Sequence, residues 1–324
     1  MVRKMHLPLI AQGVITVVLL TLLFHEFDWL SFSALFTKLS ISAYLMSLVV
    51  VAVGVVLYAW RWCLVLRASG VRVGVGAVLR QSLIGMFIGN FLPSTVGGDV
   101  AKAYLFGRVH GYSAVSASIV VDRLLGISIL AALAAAALVV GAPDLPIFRV
   151  TRTVLVALVA AAVGAVMIIM VGTGGLARRV SRFGPRAARG AERLQRVRLI
   201  MLAPLREPNV LLHAAMSVLV YFSLLTLVYQ SLIERLGGVR LGLAEILMVV
   251  ASVTVISNVP VSFNGIGVRE QLHVALFSPL GVPKEVAVAI SLLLFVHALL
   301  ISTAGGVLWL RAGQKPVPLV VPRT

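Results

Sequence analysis

One cysteine, Cys63, excludes an internal disulfide and any thiolate metal cluster, and beside a helix end it reads as a buried, unreactive thiol. Histidine is scarcely more informative. His6, His25, His110, His213, His273 and His297 form no His-Glu-x-x-His pair and no other local metal set. There is no Gly-x-Ser-x-Gly elbow and no pair of closely spaced aspartates to hold a metal and a nucleotide sugar. Neither metal nor cofactor is expected, and enzymatic chemistry finds little footing. Charge is scarce too, at 12% of residues against 60% hydrophobic, with a mean hydropathy of +1.06. A soluble domain of 324 residues has no interior large enough to hide that much apolar surface, so the chain belongs in a membrane.

Six stretches match the roughly 20 residues that a helix needs to cross the hydrocarbon core. They run from Leu7 to Phe24, Ile41 to Trp60, Ser113 to Val140, Thr153 to Val171, Val210 to Ile233 and Val286 to Leu310. Arg3 and Lys4 precede the first, but His25, Glu26, Phe27, Asp28 and Trp29 follow it where a cleavable signal has small residues. An uncleaved signal anchor is the reading.

The net charge of +17 raises nucleic acid as a partner, and its distribution answers against it. Nine arginines fall between Arg178 and Arg206, Arg61, Arg67, Arg72 and Arg80 follow the second span, and the tails carry Arg3, Lys4, Arg311, Lys315 and Arg323. Clusters beside spans obey the positive-inside rule and attract anionic lipid head groups, and no aromatic-interleaved basic domain is present. Residues 173–209 are expected as an Arg-rich cytoplasmic loop in contact with anionic lipids.

Counting charges loop by loop places both termini in the cytoplasm of a cell (inner) membrane protein. Glu26, Asp28 and Lys38 then lie outside, and Arg149 and Arg152 in the second outer loop count against the scheme, with Asp144 nearby. Residues 78–106 must begin and end inside, and residues 241–280 must begin and end outside. Each is expected as a re-entrant helical hairpin. The chain is thus all-α and polytopic, a single transmembrane domain over 1–324, with about six full spans and two hairpins in an inverted-topology repeat of 1–141 and 153–312. Tyr58, Trp60, Trp62, Tyr104, Tyr112 and Trp309 are expected to form an inner aromatic belt, Trp29 and Tyr229 an outer one.

The hairpin tips share one layout. Asn90, Pro93, Ser94, Thr95, Gly97, Gly98 and Asp99 form the first; Asn258, Pro260, Ser262, Asn264, Gly265, Gly267, Arg269 and Glu270 form the second. Unwound backbone at membrane depth survives only where it lines a cavity or is buried in protein, so a repeated break points to a binding site.

Charges at depth add to this. Asp99, Lys102, Asp122, Arg123, Glu245, Arg269 and Glu270 sit within or beside apolar runs, at about 2.5 to 3.5 kcal/mol each near a helix centre. Asp99 and Lys102 share a helix face. Asp122 and Arg123 point about 100° apart, so each should meet a different element. A cross-repeat pair of Asp99 with Arg269 is expected, and Glu270 with His273 is the best acid–base couple, read as a structural pair for want of a nucleophile. His297 is expected to pack against serine or backbone. Glycine-bared N–H groups and basic side chains favour an anionic ligand such as phosphate.

The run Gly89 to Tyr104, the run Ser118 to Gly126 containing Asp122-Arg123, and the run Pro260 to Glu270 together resemble the flippase-like family, the transmembrane region of lysylphosphatidylglycerol synthases and its stand-alone relatives. The resemblance implies movement of a phospholipid or a phosphate-bearing glycolipid or isoprenoid lipid between leaflets. It implies a lipid partner with an anionic or zwitterionic head group. The chain ends at Thr324 with no soluble aminoacyl-transferring domain after the sixth span, so lipid-modifying activity is not carried over. The expected head-group site comprises Asn90, Ser94, Thr95, Gly97, Gly98, Asp99, Lys102, Asp122, Arg123, Asn264, Gly265, Gly267, Arg269 and Glu270. The alternatives are an intramembrane lipid-modifying enzyme and a scaffold for a cell-envelope enzyme.

Overall fold

A computed structural model describes residues 6–25, 27–92, 96–141, 143–171, 185–259 and 262–312, and among these there are twelve α-helices and no strand. The chain is an all-α polytopic membrane protein. In order they are α1 (His6–Phe24), α2 (Trp29–Lys38), α3 (Ile41–Ala68), α4 (Val75–Gly89), α5 (Gly97–His110), α6 (Tyr112–Gly141), α7 (Pro146–Val171), α8 (Pro185–Arg206), α9 (Pro208–Gly237), α10 (Leu243–Ser257), α11 (Val268–Phe277) and α12 (Lys284–Ala312). Pro93, Ser94, Thr95 and Pro260 lie outside the described residues.

Among the described residues, five helices are long and apolar enough to cross a membrane: α3, α6, α7, α9 and α12. A sixth crossing exists if α1 and α2, bent by 85° at their junction, count as one. The bend follows from the sequence. Asp28 caps α2 by accepting the N–H groups of Leu30 and Ser31, both at 3.0 Å, which starts a new helix at Trp29. Ser40 caps α3 in the same way.

The short helices α4 and α10 are each 15 residues long, about 22 Å at 1.5 Å per residue, and fall short of a roughly 30 Å hydrocarbon core. Both end on an asparagine, Asn90 and Asn258, and both are followed by a break and a second short helix. In the second break Asn264, Gly265 and Gly267 all have positive φ, at 51°, 77° and 82°. An asparagine and two glycines tolerate that region where other side chains do not. In the first break the glycines serve closeness instead. A Cβ on Gly98 would lie 2.7 Å from the Gly85 carbonyl oxygen, so α4 and α5 touch backbone to backbone.

Packing repeats when the first six helices are exchanged with the last six. α4 packs on α12 as α10 packs on α6, α3 packs on α12 as α9 packs on α6, and α3 meets its own counterpart α9. α2 touches α12 as α8 touches α6.

Several expectations change here. The described part of the Arg-rich segment is the helix α8, not a loop, because Ala191 and Leu202 bury a stripe against the protein while Arg198 donates to the Ile169 carbonyl at 2.6 Å. Arg149 and Arg152 lie in the opening turns of α7, where Arg149 pairs with Asp144 at 3.2 Å. Glu245 is half-buried. It stands in the first turn of α10 and accepts the Gly242 N–H at 2.7 Å. Of the aromatic belt, Trp29, Tyr104, Tyr112 and Trp309 are exposed, but Trp62 and Tyr229 are buried in protein contacts.

Candidate functional site

The long helices bring their polar residues to two cavities. The larger, about 420 Å³, is walled by α3, α4, α5, α6, α9, α10 and α12. The smaller, about 260 Å³, is walled by α3, α9, α10, α11 and α12. Their order along the helices is informative. On α3 the second cavity touches Val51 and the first touches Gly54 to Arg61; on α12 the second begins at Ser291 and the first at Phe295; on α9 the first comes earlier, from Ser217, and the second ends at Tyr229. The cavities are therefore stacked along the spanning helices, and α9 runs opposite to α3 and α12.

Ion pairs line the first cavity. Asp99 accepts from Lys102 Nζ at 2.6 Å and from Arg123 Nε. Lys102, 5% exposed, also donates to the Tyr58 hydroxyl at 3.1 Å and lies 4.9 Å from the Trp62 ring centre. Arg61 forks onto Asp122, and its guanidinium sits 5.2 Å from the Tyr58 ring centre. Such aromatic faces stabilise a cation without cancelling its charge. Among the described residues, Arg61, Lys102 and Arg123 line the cavity with Asp99, and Asp122 backs Arg61.

The second cavity holds Arg269. Its guanidinium donates to Glu270 Oε1 and to Ser291 Oγ at 3.1 Å, and lies 4.8 Å from the centre of Phe295. Glu270 also accepts the Gly267 N–H at 2.7 Å, capping α11. His273 bonds the Tyr229 hydroxyl through Nε2 at 2.7 Å and the Arg269 carbonyl through Nδ1 at 2.8 Å.

The two breaks are tied across the halves by their asparagines. Asn90 donates to Ser302 on α12 at 2.8 Å, and Asn258 accepts from Arg123 on α6 at 2.9 Å.

Sequence comparison matches the chain, over residues 9–306, to the family described as the lysylphosphatidylglycerol synthase TM region. The chain belongs to that family. Membership connects it with membrane lipids, since the family takes its description from a protein that makes one. Comparison with curated proteins returns no match.

Seen in this family member, the fourteen expected residues separate into groups. Asn90, Gly98, Asp99, Lys102, Arg123 and Asn264 line the first cavity, and Arg269 lines the second. Asp122 and Glu270, each 1% exposed, stand behind the cavity walls as braces for Arg61 and Arg269. Gly97, Gly265 and Gly267 shape backbone, and Ser94 and Thr95 lie outside the described residues. Asp99 does not meet Arg269, because Lys102 and Arg123 already occupy its two oxygens and Glu270 occupies Arg269. Glu270 and His273 do not pair either, since each is saturated by other partners. His297 finds no hydrogen-bond partner for either ring nitrogen among the described residues and meets the Tyr44 ring edge to face at 4.7 Å.

Residues that sequence reasoning missed include Tyr58 and Arg61, assigned to the interface but lining the first cavity, and Tyr221, which lines both; Asn258, placed in the second break but not in the head-group set, also lines both. A signal for Arg61 existed: Asp122 and Arg123 each needed a partner on another element, and Arg61 is an arginine near a span end.

Proposed function

We propose that this protein is a lipid transporter of flippase type, moving a phosphate-bearing lipid between leaflets of a cell membrane. The observation that carries this reading is the stack of two cavities along α3, α9 and α12, with Arg61, Lys102 and Arg123 lining the first and Arg269 the second. Buried guanidinium and ammonium groups lining a cavity suit an anionic ligand, and a lipid phosphodiester supplies one negative charge. Its acyl tails stay in the bilayer while the head group occupies the cavity.

In this reading the exchange-related packing is an inverted repeat, with α4–α5 and α10–α11 as re-entrant hairpins entering from opposite faces. The positive-inside rule assigns the end of α3 with Arg67 and the end of α12 with Arg311 to the cytoplasm, which makes the first cavity cytoplasmic and the second outward. Both termini are then cytoplasmic. The arginines of α8 contact anionic lipids of the same leaflet. The proposal includes no bond-making chemistry.

The test is reconstitution in liposomes, scoring head-group movement for anionic and zwitterionic lipids with wild type, Asp99→Asn and Arg269→Ala. Faster movement of anionic lipids by wild type, with both variants slowed, supports the reading. Equal, lipid-independent rates for all three proteins overturn it, and product formed from lipid by protein in detergent points to an enzyme.

A further inference from the structure

The two cavities meet at Tyr221, Thr254, Asn258, Phe295 and Ala298, which line both. Two of these are large rings from helices that touch each other, Tyr221 on α9 and Phe295 on α12. The Tyr221 ring lies in a notch on α3. A Cβ added to Gly54 would overlap Tyr221 Cε2 and lie 2.6 Å from Cζ, so only glycine leaves room for the ring where it stands.

Each side of this partition is also held by a cation of one cavity. Asn258 accepts from Arg123, which lines the first cavity, and Phe295 lies under the guanidinium of Arg269, which lines the second. We propose that Tyr221 and Phe295, with Asn258, form the gate between the two cavities, and that an anionic head group opens it by engaging Arg123 or Arg269. A phosphate that takes hydrogen bonds from Arg123 competes with Asn258 for the same guanidinium, loosening the end of α10. A phosphate on Arg269 draws it from Phe295. The gate thus responds to cargo from either side, and it rests on the transport reading given above.

The experiment uses a Cys63→Ala background, with the half-buried Met86→Cys reporting the first cavity and the half-buried Leu294→Cys the second. A membrane-impermeant thiol reagent is applied to right-side-out and to inside-out membrane vesicles. With Tyr221 intact, each cysteine is modified from one face only, and the two from opposite faces. Tyr221→Ala makes both cysteines reactive from either face, raising cross-face modification at least tenfold, whereas Tyr221→Phe preserves sidedness because the ring remains. Gly54→Ala displaces the ring and gives the Tyr221→Ala pattern in a protein that retains its tyrosine, which separates gating from folding.

Unchanged sidedness in Tyr221→Ala, Phe295→Ala and Gly54→Ala overturns the gate, as does modification of both cysteines from one face in the parent. Sidedness that changes as expected, in a protein that moves no lipid, leaves the gate standing and removes the lipid as cargo. Lipid movement with unaltered sidedness removes the gate and leaves the transport reading.

Discussion

Arg61 of α3 and Asp122 of α6 form a two-point ion pair, Nε to Oδ1 at 2.7 Å and Nη2 to Oδ2 at 3.0 Å, with Asp122 1% exposed. The fork fixes the guanidinium plane at the wall of the first cavity, a task to which the point charge of lysine is unsuited. Removing one partner leaves a buried charge alone. Asp122→Ala is expected to destabilise the protein by about 3 to 5 kcal/mol, read from its unfolding transition in detergent. The double replacement Arg61→Met with Asp122→Leu recovers most of that loss but not head-group movement. An Asp122→Ala protein that unfolds with wild type would remove the pair from any structural account.

Gly126 provides a gentler probe of the same group. A Cβ there would lie 2.8 Å from Arg61 Nη2, so Gly126→Ala shifts the guanidinium rather than deleting it. A charge-assisted hydrogen bond is worth about 1.5 to 3 kcal/mol, so its loss lowers apparent head-group affinity roughly tenfold or more. Concentration dependence of transport for an anionic lipid checks this, with the unfolding midpoint lowered by less than in Asp122→Ala.

Adjacent glycines on α12 should behave differently. A Cβ on Gly305 would overlap the Leu83 carbonyl, which is backbone and can move only with α4, whereas a Cβ on Gly306 meets the far edge of the Phe87 ring, a side chain that can shift without moving the backbone. Gly305→Ala is expected to cost about 1 to 3 kcal/mol through overpacking, and Gly306→Ala less. Detergent-solution thermal unfolding of the two variants side by side distinguishes them, and equal midpoints would contradict the close α4–α12 approach.

Acid should weaken α2. The Ser31 hydroxyl, and then its N–H, hydrogen-bond the Asp28 carboxylate and hold that carboxyl below its ordinary range. A group whose folded value is depressed contributes its stability fully above the ordinary carboxylate range and loses it as pH falls through the lowered value. Trp29 fluorescence, in a chain whose other three tryptophans are phenylalanine, should change over that acid window. Asp28→Asn removes the change, and Ser31→Ala moves it upward in pH.

The helical, membrane-embedded class and the paired breaks were legible in the sequence, because hydropathy and glycine–proline interruptions are local signals. The first cavity was half legible. Asp99 and Lys102 share a helix face by spacing alone, and the structure has them 2.6 Å apart. Tyr58, Arg61 and Trp62 misled because α3 has 28 residues, more than the roughly 20 a crossing needs. A one-dimensional reading assigns the surplus turns to the head-group layer. In the fold they are covered by α6, whose Ser118 accepts from the Trp62 indole at 3.1 Å. Arg149 and Arg152 misled in the opposite sense, since their place at the start of α7 follows from Pro146 opening the helix early.

Hydropathy and charge by themselves determined that the chain crosses a membrane as helices, since in hydrocarbon each backbone group must find its partner within its own segment. Which cation meets which carboxylate was decided only by tertiary structure. Asp122 and Arg123 are neighbours pointing about 100° apart, and α6 lies against both α3 and α5, so one reaches Arg61 and the other Asp99. Helical periodicity tells that two adjacent side chains must part. The identity of the helix that fills each direction comes from packing between segments far apart in the chain.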